Sequence, residues 1–190
     1  MMHARLAQHI TESLGRPPEN LDQVLPCFKE QVAQRNEHIL RAGEVCRHVY
    51  YIAEGCLQVY VIDQQGKESI REFYFENQWV TDIFGFQNQT PSSEFIKCAE
   101  PCQLLKIHYD DFQVLSDRIP PFAHMYKQIL ELSYNNTVYR VNTLTSLNAL
   151  DRIKWMMDNK PKLMSRISSK QVAAYLGITP ETLTRYKARI

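Results

Sequence analysis

Apolar positions along this 190-residue chain change their period twice. Within residues 3–35 they recur every three to four residues. Leu21, Val24, Leu25, Phe28 and Val32 form one such stripe, which predicts helix with a break at Gly15-Arg16-Pro17-Pro18. Pro26 falls inside the stripe and starts or kinks a turn. From about Glu37 to His108 the apolar residues gather into short runs rich in Val, Ile, Tyr and Phe: 48–52, 56–62, 69–75 and 103–108. In the second run Leu57, Val59 and Val61 alternate with Gln58, Tyr60 and Ile62. Asp63-Gln64-Gln65-Gly66 suits a hairpin with Gly66 at positive φ, and Gly43 and Gly55 punctuate similarly. About seven or eight short strands with no helix between them predict an antiparallel barrel or jelly roll.

The helical period returns near Asp110. Phe122, Met125, Ile129, Leu132, Asn136, Tyr139 and Thr143 are spaced alternately by three and four, a seven-residue repeat that begins after Pro120-Pro121. Such a seam suits a two-stranded dimer helix in which the polar Asn136 fixes register. It also suits a helix lying on the barrel. Leu147, Leu150, Ile153, Trp155, Met156 and Met157 predict an amphipathic helix ending near Asn159.

The last segment carries the most specific signals. Ser168 is an N-cap with Gln171 three residues on, the spacing of a capping box. A helix over 169–176 buries Val172, Ala173 and Leu176, and Gly177 ends it in the left-handed conformation. Thr179 caps a second helix with Pro180 at its first position, where proline is favoured. Leu183, Tyr186 and Ile190 face inward. Two short helices joined by a tight glycine turn predict a helix-turn-helix. Glu181, Thr182, Thr184, Arg185, Lys187 and Arg189 face outward. Arginine donates two hydrogen bonds to a guanine edge, and glutamate accepts from cytosine. Ser168, Ser169, Lys170 and Thr179, at helix starts, suit phosphate contacts.

Charge sharpens this picture. Residues 161–190 hold six basic groups and one acid, whereas the other 160 hold sixteen basic and twenty acidic groups. The overall charge of +1 therefore conceals a basic end joined to an acidic body, as expected of a sensor joined to a nucleic-acid reader. Cys27, Cys46, Cys56, Cys98 and Cys102 are odd in number, and no signal segment or membrane span is read. Reduced thiols in a cytoplasmic protein follow. Cys98 and Cys102 stand four apart without a second pair at metal-ligand spacing, so no metal site is assigned.

The run Ile167-x-x-Lys170-Gln171-Val172-Ala173-Ala174-Tyr175-Leu176-Gly177-Ile178-Thr179-Pro180-Glu181-Thr182-Leu183-Thr184-Arg185 resembles the helix-turn-helix of the cyclic-AMP receptor/Fnr (Crp/Fnr) regulator family. Leu40-Arg41-Ala42-Gly43-Glu44, Tyr50-Tyr51-Ile52-Ala53-Glu54-Gly55 and the Gly66 hairpin follow the family's order, so the resemblance covers nearly the whole chain. It implies an α+β protein. Residues 1–118 would be N-terminal helices and a cyclic-nucleotide-binding-like sensor barrel, 119–145 a dimerisation helix and 146–190 a DNA-binding domain. Glu181 and Arg185 match the family's base-reading pair, and Pro180 stands where the family has another arginine. The family grips a cyclic phosphate with a Gly-Glu turn and a following Arg-Ser/Thr-Ala. Here Gly85 is followed by Phe86, and no arginine occurs between Trp79 and Cys102. The phosphate grip is therefore not carried over, and no cofactor is assigned. The residues that would line a pocket for another small-molecule effector are Arg71, Glu72, Trp79, Thr90, Ser92 and Ser93.

The expected function is a homodimeric regulator of transcription with double-stranded DNA as partner, RNA polymerase as a further one, and no enzyme activity. Two alternatives stand beside it. A cupin-like metal enzyme would need a His-x-His cluster, where the chain offers Cys46-Arg47-His48 with Glu54 and His108. A ligand-sensing adaptor that never touches DNA would show no salt-dependent duplex affinity.

Overall fold

A computed structural model describes residues 1–18, 20–66 and 68–187. The chain divides into two compact units. The first comprises residues 1–59 and 74–131, and the second residues 60–73 and 132–190.

The first unit opens with α1 (Met2–Leu14), which packs Met2, Leu6 and Ile10 into the core and ends at Gly15 with φ 71°. After the one-turn α2 (Leu21–Val24) the chain departs from the expected helix. Leu25–Cys27 is a short 3-10 turn with Pro26 inside it, and Phe28 is extended. Lys29–Ala33 then forms strand β1. The helical spacing of Phe28 and Val32 is overridden because β1 finds a continuous backbone partner in β8 (Cys102–His108), from Lys29 opposite Lys106 to Ala33 opposite Cys102. Phe28 enters the core, whereas Val32 stands outside it.

The remaining strands are β2 (His38–Leu40), β3 (His48–Glu54), β4 (Leu57–Ile62), β5 (Glu68–Tyr74), β6 (Trp79–Val80) and β7 (Phe95–Cys98). Strands β3, β4, β5 and β8 follow the expected runs closely, whereas β2, β6 and β7 carry no run of their own. Together the strands form two four-stranded sheets, ordered β1-β8-β3-β6 and β2-β7-β4-β5, the arrangement of a jelly roll. Tyr51 pairs with Leu105 and Val49 with Ile107 across β3 and β8. These residues, with Ile52, Leu104, Leu57 and Ile96, are buried at the centre of the core. Gly55 has φ 105°, and a Cβ there would lie 2.5 Å from the Pro101 carbonyl oxygen. Gly66 closes the β4–β5 turn at φ 80°, its N–H donating to Asp63 O at 3.0 Å. Contrary to the expected uninterrupted run of strands, the short α3 (Ile83–Asn88), capped by Asp82, lies between β6 and β7.

Helix α4 (Tyr109–Arg118) runs almost directly into the 27-residue α5 (Pro120–Ser146). Phe122 and Met125 at its start are buried in the first unit's core, and Ile129 packs against that core. The second unit continues with α6 (Ala149–Asn159), α7 (Pro161–Arg166), α8 (Ser169–Leu176) and α9 (Pro180–Lys187). Ile153, Met156, Leu163, Val172, Ala173, Tyr175, Leu176 and Leu183 form its apolar centre, each with no measurable exposure. Among the described residues no helix is long and apolar enough to cross a membrane.

Candidate nucleic-acid interface

Helices α8 and α9 owe their limits to the capping chemistry written in the sequence. The Ser168 hydroxyl accepts from the Gln171 N–H at 3.4 Å, the N-cap half of the capping box, and donates to Gln171 Oε1 at 2.8 Å, a side-chain bond that holds the cap in place. Gly177 takes φ 66°, and its N–H returns to the Ala174 carbonyl while Ile178 N–H returns to Ala173. These are the bonds that satisfy the last carbonyls of a helix. A Cβ at Gly177 would meet an Arg152 guanidinium nitrogen at 3.3 Å, so the turn is both left-handed and crowded. The Thr179 hydroxyl accepts from the Thr182 N–H at 3.2 Å and starts α9.

This framework exposes one face of α9. Leu183 is fully buried and Tyr186 half-buried, while Glu181, Thr184 and Arg185 are exposed and Thr182 partly so. The Arg185 guanidinium lies 5.1 Å from the centre of the Tyr186 ring, which steadies it without enclosing it. The Glu181 carboxyl is held below its usual range by a hydrogen bond from its own backbone N–H and another from the Thr179 hydroxyl. It therefore remains an acceptor. Ser168, Ser169, Lys170 and Thr179 are also exposed, at the starts of the two helices. Arg189 lies outside the described residues, as does the side chain of Lys187.

The seam expected along α5 is divided. Phe122 and Met125 are already used by their own chain's core, and Thr143 is buried in the second unit. Asn136 is half-buried. Leu132 and Tyr139 are exposed, and so are Tyr134, Val138 and Val141. An ideal helix turns 100° per residue, so strict alternation of three and four drifts around its face. The drift carries Leu132 and Tyr139 to the edge of the inward stripe. Tyr134, Val138, Val141 and the exposed Thr145 keep a spacing of four, three and four on the outward side.

The six effector candidates do not form one set. Trp79 belongs to an aromatic cluster with Tyr51 and Phe28, and its indole N–H donates to His9 Nε2 at 3.2 Å. That packing accounts for it without a ligand. Ser92 closes a local turn, accepting from the Glu94 N–H at 3.0 Å, while Ser93 is exposed and Thr90 half-buried. Arg71 and Glu72 lie in the second unit, Arg71 exposed and Glu72 buried against other side chains of that unit. In the segment that corresponds to the family's phosphate turn, the Asp82 carboxylate caps α3, accepting from the Gly85 N–H at 3.1 Å. A Cβ at residue 85 would stand 2.3 Å from that carboxylate. As for a metal centre, His48 and His108 meet edge to face at 5.2 Å, yet the described residues hold no group of three or more ligand side chains placed for an ion.

Periodicity had no means of finding Tyr175, Arg140, Arg152 or Lys160. Arg152 donates to the carbonyls of Leu144, Leu147 and Leu176, tying the ends of α5 and α8 to α6. Each makes at least one contact through a polar atom to a residue more than twenty positions away.

The fold and its terminal pair of capped helices define a class, a nucleotide-binding-type jelly roll followed by a helix-turn-helix. Residues 30–118 match the cyclic nucleotide-binding domain family. The chain is 24% identical over 189 residues to the fumarate and nitrate reduction regulatory protein of Vibrio cholerae, covering 90% of this chain and 71% of that one. It is 25% identical over 157 residues to the cAMP-activated global transcriptional regulator CRP of Pasteurella multocida, covering 77% and 75%. Its fold is similar to that of FixK2 from Bradyrhizobium japonicum, with a TM-score of 0.75, 15% identity and coverage of 85% and 83%. Residues 30–118 thus carry the cyclic nucleotide-binding domain fold, and most of the chain is similar to transcription regulators of the Crp/Fnr type. Its relatives are regulators and not enzymes, which removes the cupin alternative.

Proposed function

We propose that this chain acts as a homodimer that binds double-stranded DNA through α9 and so regulates transcription in the cytoplasm, with RNA polymerase as the machinery it addresses. The observation that carries this reading is the exposed row of Glu181, Thr184 and Arg185 on a helix whose opposite side is anchored by the fully buried Leu183. Arg185 is assigned to a guanine edge, and Glu181 to a cytosine amino group. Ser168, Ser169, Lys170 and Thr179 are assigned to phosphates. Pairing through Tyr134, Val138 and Val141 would present two such helices to successive major grooves about 34 Å apart.

A cyclic nucleotide is not part of this proposal. Gly85 is followed by Phe86 and no arginine occurs between Trp79 and Cys102, so no guanidinium stands ready to neutralise a cyclic phosphate there. The effector, where there is one, is of other chemistry.

Selection of bound duplexes from a random pool, with and without cyclic nucleotides, tests the reading. The expected outcome is a pseudo-palindromic site, an affinity that falls steeply with salt, and no response to cyclic AMP. Arg185→Ala should cost roughly 1–3 kcal/mol at the selected site and relax one base position. Failure of the wild-type protein to retain any duplex at low salt would overturn the proposal.

A further inference from the structure

Glu72, which the sequence offered as an effector ligand, is engaged instead by three parts of the second unit. Its Oε2 accepts from Lys160 Nζ at 2.7 Å, and the Tyr175 hydroxyl stands 3.5 Å from the same oxygen. Its Oε1 accepts from the Phe73 N–H at 2.9 Å. Glu72 lies on β5, Lys160 at the junction of α6 and α7, and Tyr175 in α8. Tyr175 has no exposed surface, and its ring meets Phe73 edge to face at 5.8 Å. The Arg140 guanidinium of α5 sits 3.8 Å from the centre of that ring and donates to the Tyr175 carbonyl and, at 3.4 Å, to the Ile70 carbonyl. Strand β5 is thus held to α8 at both ends of one tyrosine, by an acid at the hydroxyl and by a cation at the backbone.

Such an arrangement is costly to build from charges and weak as a source of stability, because the buried Glu72 and Arg140 give up their hydration and the half-buried Lys160 part of its own. Where a buried pair is kept, its best-attested use is to fix one arrangement over others of similar energy. The arrangement fixed here is that of β5 and α8. With the cluster closed, the outward residues of α9 remain exposed, so the cluster does not cover the reading face. Helix α9 follows α8 after a turn of only three residues, Gly177 to Thr179, so what holds α8 also limits α9.

We propose that Glu72, Lys160 and Tyr175 form a strut by which the β4–β5 hairpin holds α8, and with it α9, in the orientation that engages duplex DNA. The strut rests on the reading of α9 as the DNA-contacting helix. Without it α8 samples more orientations, and binding must select the competent one, which lowers the observed affinity by the competent fraction. No group that faces DNA is lost.

The test uses the full chain as wild type, as Glu72→Gln, as Lys160→Met and as the double variant. Duplex affinity is read by fluorescence anisotropy and amide hydrogen exchange over residues 169–187. Each single change should weaken duplex binding about tenfold and speed exchange in α8 and α9. The double variant should be no weaker than the weaker single one, because the two side chains act as one contact. The salt dependence of binding should keep its slope, since no phosphate contact is removed. Should a single variant lose its helical circular dichroism, the charge-exchanged pair Glu72→Lys with Lys160→Glu replaces it. Recovery of wild-type affinity there supports the strut, and continued weakness overturns it. Variants that bind and exchange as the wild type does also overturn it. Absence of any duplex binding by the wild type is a separate failure: it removes the α9 assignment, and exchange in α8 then reports only whether the strut restrains the helix.

Discussion

In the first unit the buried residues are almost entirely apolar. Tyr51, Ile52, Leu104, Leu105 and Ile107 meet between two sheets, Phe86, Phe112 and Phe122 stack edge to face, and Asp82 is the one buried carboxylate among the described residues there. The second unit has a smaller apolar centre and buries Glu72, Arg140 and Thr143 beside it. Burial lowers the Arg140 guanidinium below its usual range, against the favourable pull of Tyr175 and Glu72. The first unit is thus held mainly by area removed from water, which is strong and indifferent to direction. The second adds charged and carbonyl-directed contacts, which contribute less energy and more geometry. A barrel tolerates many equivalent packings, whereas a helix proposed to read bases has to be aimed.

That contrast can be broken in graded steps. Leu105→Ala should cause the largest loss, about 2–5 kcal/mol, because it opens a cavity in a core that cannot collapse around it. Chemical denaturation measures it, and a loss below 1 kcal/mol would mean that the barrel centre is loosely packed. Val138→Glu with Val141→Glu should weaken self-association while leaving the thermal melt of each unit in place. Sedimentation at several concentrations reads this, and an unchanged dimer would move the pairing face elsewhere. Gly177→Ala should cost about 1–2 kcal/mol, the penalty of a left-handed alanine, with its effect confined to amide exchange in α8 and α9. An equal effect on barrel amides would contradict the local role of that turn.

The smallest effect concerns acid. Burial, reinforced by Lys106, His108 and Arg47, pulls His48 down from its ordinary value of 6.5 to about 4. The folded state therefore favours neutral His48, and the unfolded chain takes up the proton first. Stability contributed by this residue is intact above 6.5 and declines as the pH falls from there toward 4. The melting temperature of the wild type should fall over this interval more than that of His48→Gln, and parallel curves would show that His48 is not responsible.

The sequence made these regions legible to different depths. Strands β3, β4, β5 and β8 and helices α6, α8 and α9 announced themselves through local period and capping, because the residues that decide them are neighbours in the chain. Strand β1 did not. Phe28 and Val32 carry a helical spacing, and only the distant partner β8 makes residues 29–33 a strand. On α5 the inward stripe was visible, but the side that faces outward depended on which residues the chain's own core had already taken. In the interface, the exposed face of α9 could be read from Leu183 and the caps. The Glu72–Lys160–Tyr175 cluster could not, since its members lie 88 and 103 residues apart and nothing in their local spacing singles them out.

Asp82 has one more consequence. A carboxylate built into the chain stays at the start of α3 at a fixed local concentration, in starvation and in plenty alike. The opening turn of α3 is therefore closed by the chain itself, and the Gly85 N–H needs no bound anion to satisfy it.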